Sequence, residues 1–278
     1  MVADITPPGL RGAAYGLRQT LDMVGAFIGP LLAIGLMWLT AGHFQAVFWV
    51  AVVPAVLAVG VLLVFVREPE QLKTATRPHV LLSRHTIAAL GGGFWWVAGV
   101  AIVFTLARFS EAFLILRATE AGLSPVWVPL VLVLMAAAYS LSAYPAGALS
   151  DRGDRIIVLI IGMTVLILAD LILALVPGMT GLTLGVVFWG VHMGFTQGVF
   201  AAMVADSATP ELRGTAFGVF HLTTGLALLL ASVVAGGLWD ELGYQGTFVY
   251  GAILATLALL ALTAVRRKLP RFRRPVGA

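Results

Sequence analysis

The sequence predicts an all-α membrane protein with eight transmembrane helices, and three observations lead there. Of 278 residues, 60% are hydrophobic and only 11% charged, against about 25% charged in soluble chains, and the mean hydropathy is +1.00. Long apolar runs alternate with short polar stretches, as in chains that cross a bilayer repeatedly. The basic residues gather in every second connecting stretch.

Crossing a hydrocarbon core of about 30 Å takes roughly 20 helical residues. Helix is required because an apolar core offers backbone N–H and C=O groups no outside partner. The first span, Ala13–Thr40, carries Arg18, Asp22, Gly25, Gly29 and Pro30, and Pro30 should kink it. Ala46–Val66 follows, with no polar side chain beyond its indole. Thr86–Leu116 holds Arg108 and Glu111 in its outer half, and Val126–Leu149 holds Tyr139 and Tyr144. Ile156–Val176 has Asp170 as its sole charge. Leu182–Ala205 is ridged with glycine, including Gly190, Gly194 and Gly198, and carries Trp189, His192, Thr196 and Gln197. Gly214–Leu238 holds His221, and Thr247–Val265 closes the set.

The connecting stretches divide into two sets. One holds Arg11, Arg67, Lys73, Arg77, Arg84, Arg152, Arg155, Arg213 and the tail's Arg266, Arg267, Lys268, Arg271, Arg273 and Arg274; the other holds only Arg117. By the positive-inside rule the first set is cytoplasmic, and so are both termini. The tail RRKLPRFRR reads as an anchor on anionic lipid rather than a nucleic-acid patch, despite a pI near 9.8. All but Lys73 and Lys268 of the seventeen basic residues are arginine, a usage we read as that of a GC-rich bacterium. No signal peptide is predicted, because Asp4 stands where a basic leader segment belongs. The chain has no cysteine, and its five histidines show no metal-ligand spacing, so neither disulfide nor metal site is expected.

The chain repeats itself. MVADITPPGLRG at Met1 returns as MVADSATPELRG at Met203, an offset of 202, and FQAVF (44–48) returns as YQGTF (244–248). The first two spans are thus a parallel copy of the last two, with four spans between them. The loop GALSDRGDR (147–155) resembles the Gly-x-Leu-x-Asp-Arg-x-Gly-Arg-Arg loop of the major facilitator superfamily, one residue tighter and without the second consecutive arginine. TPELRGTAFG (209–218) and TPPGLRGAAYG (6–16) resemble that family's loops into helices eleven and five, and GAFIGPLLAIG (25–35) loosely resembles the Gly-Pro pattern of its proton-driven exporters. The resemblance implies a bundle containing helices five to twelve of twelve. It divides the chain into an N-terminal-half remnant (1–66), an inter-half loop (67–85), a six-helix C-terminal half (86–265) and a basic tail (266–278). Met1 is then expected to be an internal methionine.

Buried polar residues are functional candidates by default. For a substrate or proton pathway they are Arg18, Asp22, Arg108, Glu111, Tyr139, Trp189, His192, Gln197 and His221. Arg18–Asp22 and Arg108–Glu111, four and three apart, have helical spacing for ion pairs. Asp170 is expected to be paired structurally or to snorkel outward. Gly147, Asp151, Arg152, Arg155 and Arg213 form a candidate cytoplasmic gate, with Asp151 near a helix N-terminus. Gly25, Gly29, Gly190, Gly194 and Gly198 should let helices pack closely. The resemblance implies that helices five, seven, eight, ten and eleven line the path.

The function expected is secondary transport by alternating access, with export of small organic compounds in exchange for protons across a bacterial inner membrane. Uptake by symport and a non-transporting fragment or scaffold are the alternatives; an enzyme is not expected. Expected partners are the lipid bilayer, a small-molecule substrate and protons, with no nucleic acid and no cofactor. The full-length protein should be a monomer.

Overall fold

The computed structural model describes residues 2–40, 43–65, 87–124 and 127–266. The loop expected at 67–85 and the basic tail from 267 onward lie outside the described residues. Among the described residues the helices are α1 Val2–Ile5, α2 Arg11–Leu39, α3 Phe44–Phe65, α4 Gly91–Leu106, α5 Ala112–Glu120, α6 Pro129–Arg152, α7 Arg155–Leu175, α8 Gly178–Ser207 and α9 Arg213–Arg266. A 3-10 turn, Pro8–Leu10, leads into α2. Among the described residues, five stretches are long and apolar enough to cross a membrane. One of these, α9, holds two spans that reverse at Gly243, whose φ of 68° is left-handed and suits glycine.

The core runs through α4 to α9 and is filled by side chains such as Phe94, Leu159, Met163, Leu166 and Trp189. Around it, α8 lies between α6 and α7, α9 covers α7 and α4, and α2 lies along α6 and reaches α8. Glycine sets these approaches. A Cβ on Gly12 would stand 2.5 Å from the Gly147 carbonyl oxygen, and one on Gly16 would stand 2.5 Å from that of Ala143. Along α8, Gly190 faces Met135 and Ala138, Gly194 faces Ser142, and Gly198 lies against the Gly16 backbone, its Cβ position 3.2 Å from the nitrogen. The ridge therefore crosses α6 and ends on α2. Gly25 and Gly29 behave otherwise, since no atom lies within 4 Å of a Cβ placed on either. Among the described residues they make none of the close helix contacts predicted for them. Thr20 ties α2 to α6, donating to the Ser140 carbonyl at 3.0 Å while Ser140 Oγ donates to the Thr20 carbonyl at 3.2 Å. α2 itself continues through Pro30.

The third predicted span is not one helix. α4 stops at Leu106 and α5 starts at Ala112. The break exposes backbone polar groups that need new partners in an apolar setting. Ser110 N–H donates to Ser232 Oγ at 3.1 Å, and Ser110 Oγ accepts from Ala112 N–H at 3.2 Å. Phe109 anchors the break, its ring 5.1 Å from Phe113 and 5.4 Å from both Trp189 and Phe248 between centroids.

Arg117, the lone basic residue of its set, is not a solvated loop residue. It is 1% exposed. Its Nε donates to Leu173 O at 3.1 Å and its guanidinium to Val176 O at 3.2 Å, with its carbon 4.0 Å from the Tyr244 ring centroid. These are the orphan carbonyls at the end of α7.

Arg117→Met should lower unfolding stability in detergent by about 2–4 kcal/mol. Arg117→Lys should recover little of it, because an ammonium lacks the fork that spans two carbonyls. Gly147→Val should cost about 3 kcal/mol in the same measurement, because the new side chain meets the Gly12 backbone.

Candidate functional site

Two constellations stand out, one at the basic end of the bundle and one halfway along it. At the basic end, α6 delivers Asp151 to the start of α2. The N–H groups of Gly12 and Ala13 each donate to its carboxylate at 2.8 Å. Those donors have no partner inside their own helix, and the helix dipole favours a negative charge there. Arg155, one turn on at the start of α7, lies 3.6 Å from Asp151 and bonds Asp206 at 2.6 Å.

Asp206 is shared, because Arg11 also donates to it. Arg213 in turn bonds Asp4 at 2.6 Å. The repeat gives this meaning. At an offset of 202, Arg11 corresponds to Arg213 and Asp4 to Asp206. Each copy therefore sends its arginine to the other copy's aspartate, the reciprocal contact of a two-fold interface. Backbone carbonyls complete the lattice, with Arg11 donating to Ala3 O at 3.1 Å and Arg213 to Ala205 O at 3.2 Å. Arg152 is exposed and takes part in none of these bonds.

The second constellation is a cavity of about 240 Å³ between α4, α8 and the first part of α9. It gathers four of the nine pathway candidates: Arg108, His192, Gln197 and His221. At about 1.5 Å per residue, His192 lies roughly 22 Å from the basic end of α8, and Gln197 and His221 lie nearer to it. The cavity is therefore at mid-depth. His192 is 3% exposed. Its Nδ1 donates to the Gly162 carbonyl at 2.8 Å, leaving Nε2 as the acceptor nitrogen. Gly162 permits this approach, since α8 already crowds its missing Cβ, with Thr196 Cγ2 at 2.7 Å.

Sequence reasoning missed much of the wall. Thr105 and Thr224 join it, their hydroxyls donating to Ala101 O at 2.7 Å and Phe220 O at 2.8 Å, so only their lone pairs face the cavity. Towards the basic end, Phe200 closes the floor, 5.3 Å from Phe104 and 6.3 Å from Phe220. Aromatic and hydroxyl residues one helical turn apart, Thr196 with Phe200 and Phe220 with Thr224, were the available signal, but sequence alone does not say which helices meet.

The other candidates fall elsewhere. Arg18 and Asp22 pair at 3.6 Å on α2 and are exposed, at 56% and 47% of their side chains. Arg108 and Glu111, placed on the break rather than on a helix, form no ion pair among the described residues. Tyr139 and Trp189 are core residues, 1% and 0% exposed. Asp170 is neither paired nor snorkelling, contrary to expectation. It is 0% exposed, and among the described residues neither carboxylate oxygen has a hydrogen-bond partner.

Membrane-length helices, a polar chamber at mid-depth and an ionic closure at one end define a polytopic membrane protein with a solute-sized compartment. The family model of the Major Facilitator Superfamily matches residues 1–126 and 97–278, and the chain belongs to that family. An uncharacterized MFS-type transporter of Methanocaldococcus jannaschii is 30% identical over 261 residues, covering 92% of this chain and 64% of that protein. Uncharacterized proteins of Mycobacterium bovis and Mycobacterium tuberculosis are 27% identical over 267 residues, covering 94% of this chain and 64% of each relative. The chain thus spans 64% of the length of the curated relatives it matches.

The closure can be tested with a single reporter, because the chain has no cysteine of its own. Asp151→Asn should weaken the cap on α2 and disfavour the closed basic end by about 2 kcal/mol, roughly thirtyfold. In a Phe200→Cys background this should appear as faster labelling by an impermeant maleimide from the basic side. Unchanged labelling would show that the cap does not hold the end closed.

Proposed function

We propose that this chain forms the substrate-handling body of a secondary transporter that works by alternating access. It exports small organic compounds in exchange for protons across a bacterial inner membrane. The basic end, with both termini, lies in the cytoplasm. One observation carries the reading: a polar chamber at mid-depth, walled by Arg108, His192, Gln197 and His221, lies beyond an ionic closure at the basic end that ties α2 to α6 and α8. A chamber behind a closure made of separable ionic contacts is what alternating access requires. The aromatic floor formed with Phe200 separates the chamber from the ionic closure. The mixed wall, one arginine, two histidines and an amide beside aromatic rings, suits a solute with both polar and apolar parts.

The test is proton flux. Vesicles carrying the protein and a luminal pH dye are challenged with ethidium and with a panel of small organic acids and amines. Movement of at least one solute coupled to opposite proton movement is the expected result. No flux of any solute under any imposed gradient would refute the reading. With an active solute in hand, Gln197→Ala should weaken its apparent affinity about tenfold, the worth of one hydrogen bond, and leave the protein's thermal unfolding unchanged.

A further inference from the structure

Arg108 is a cation that the fold leaves without an anion. The buried arginines elsewhere are engaged: Arg11 and Arg155 bond Asp206, and Arg117 donates to the carbonyls at the end of α7. The Arg108 side chain has no such bond among the described residues, and its Nη1 is buried with no partner. Its backbone N–H donates to Thr105 O at 3.1 Å, one more turn after α4, and this roots the side chain in the cavity wall.

Nothing else in that wall neutralises it. Among the described residues no aspartate or glutamate lines the cavity. Glu111, three residues on, makes no ion pair with Arg108, Asp22 is spent on Arg18, and Asp206 on the arginines of the basic end. A guanidinium cannot shed its charge by losing a proton. Held away from water with no counter-ion it costs several kcal/mol. An arginine kept only for packing would be tied to carbonyls, as Arg117 is.

The remaining wall narrows what the anion can be. Thr105, Thr196 and Thr224 give their hydroxyl protons to backbone carbonyls, and His192 keeps Nε2 as an acceptor. A second negative charge would meet those lone pairs. Towards the basic end the wall is aromatic, with Phe104, Phe200 and Phe220 in contact. Phe104 stands four residues before Arg108, roughly 6 Å along the axis at about 1.5 Å per residue. The charged and apolar parts of the wall are therefore about one small molecule apart. A volume of about 240 Å³ is below the range of about 300–1,000 Å³ that suits drug-sized ligands.

We propose that the solute held in this cavity is a small organic monocarboxylate with an apolar body. Its carboxylate meets the Arg108 guanidinium, whose fork of N–H groups matches two carboxylate oxygens, and its body lies on the rings of Phe104, Phe200 and Phe220. Selectivity follows from the same wall. An amine is repelled by Arg108, a neutral analogue leaves the guanidinium unpaired, and a dicarboxylate sets its second charge against acceptors or rings. The inference rests on the carrier reading, whose chamber it fills, but binding is measured without transport.

Titration calorimetry of the full chain in lipid nanodiscs compares benzoate and hexanoate with benzylamine, benzyl alcohol and terephthalate, with empty nanodiscs setting the baseline for partition into lipid. At least one of the two monocarboxylates should bind. The amine, the alcohol and the dicarboxylate should each bind at least tenfold more weakly. Arg108→Gln should weaken the monocarboxylate roughly ten- to a hundredfold, the worth of hydrogen bonds to a charged group. Arg108→Lys keeps the charge without the fork. It should lose about tenfold, and it gives the comparison should the glutamine variant fold poorly. Binding of neither monocarboxylate would overturn the proposal. So would an affinity unchanged in both Arg108 variants, or benzylamine or terephthalate binding as tightly. If benzoate binds as stated to a protein that moves no solute, only the carrier reading falls. If solutes exchange for protons with no preference for carboxylates, only this inference falls.

Discussion

The fold depends on a contact that the chain makes with its own repeat. Arg11 reaches Asp206 while Arg213 reaches Asp4, and the two pairs exchange places under the internal symmetry. The side chains are only 10–24% exposed, so each charge has lost most of its water. Such pairs add little net stability, because desolvation offsets much of the attraction. Their value lies in specificity. An arginine left here without its aspartate would be far costlier than the pair is favourable, so the basic ends of the two repeats meet in one register or separate.

Everything nearby serves that register. Asp151 receives the first amide groups of α2, and Arg155 ties Asp151 to Asp206, joining the helix cap to the reciprocal pairs. The glycines at 12, 16, 147 and 198 bring the backbones close enough for the carboxylate to reach those amides. The polar ties of α2 to the bundle run from Arg11 to Thr20, and the chamber lies at mid-depth beyond the ionic closure. The chamber wall follows the same economy of polar groups. His192 spends one nitrogen on Gly162, and the threonines spend their protons on their own helices, leaving a few unspent groups aimed inward.

Much of this was legible in the residues. Segregated charge and apolar length gave the spans, and the offset of 202 identified Asp4 with Asp206 and Arg11 with Arg213. Equivalence is not contact, however, and only the structure shows that the equivalents trade partners. The break at Arg108–Ser110 was hidden because its apolar run is continuous and its breaking contacts come from distant residues, Ser232 and the aromatic ring cluster. Asp170 was misjudged for a related reason: an isolated charge in a span is normally paired or near an end, and its surroundings are set by helices that sequence does not place. Gly25 and Gly29 have the same spacing as Gly12 and Gly16. Which pair meets a neighbour depends on which positions of α2 face α6, and that is set by packing.

The reciprocal pairing is tested most directly through Asp4 and Arg213, read with Gln197→Cys as the only thiol in the protein. Asp4→Arg and Arg213→Asp alone should each speed labelling of that cysteine from the basic side at least tenfold, about 1.4 kcal/mol of lost closure. The double exchange should return labelling close to the parent rate, since the pair is restored with its charges reversed. A double variant as open as the two single changes combined would contradict the account, because Asp4 and Arg213 would then act separately rather than as one half of a shared closure.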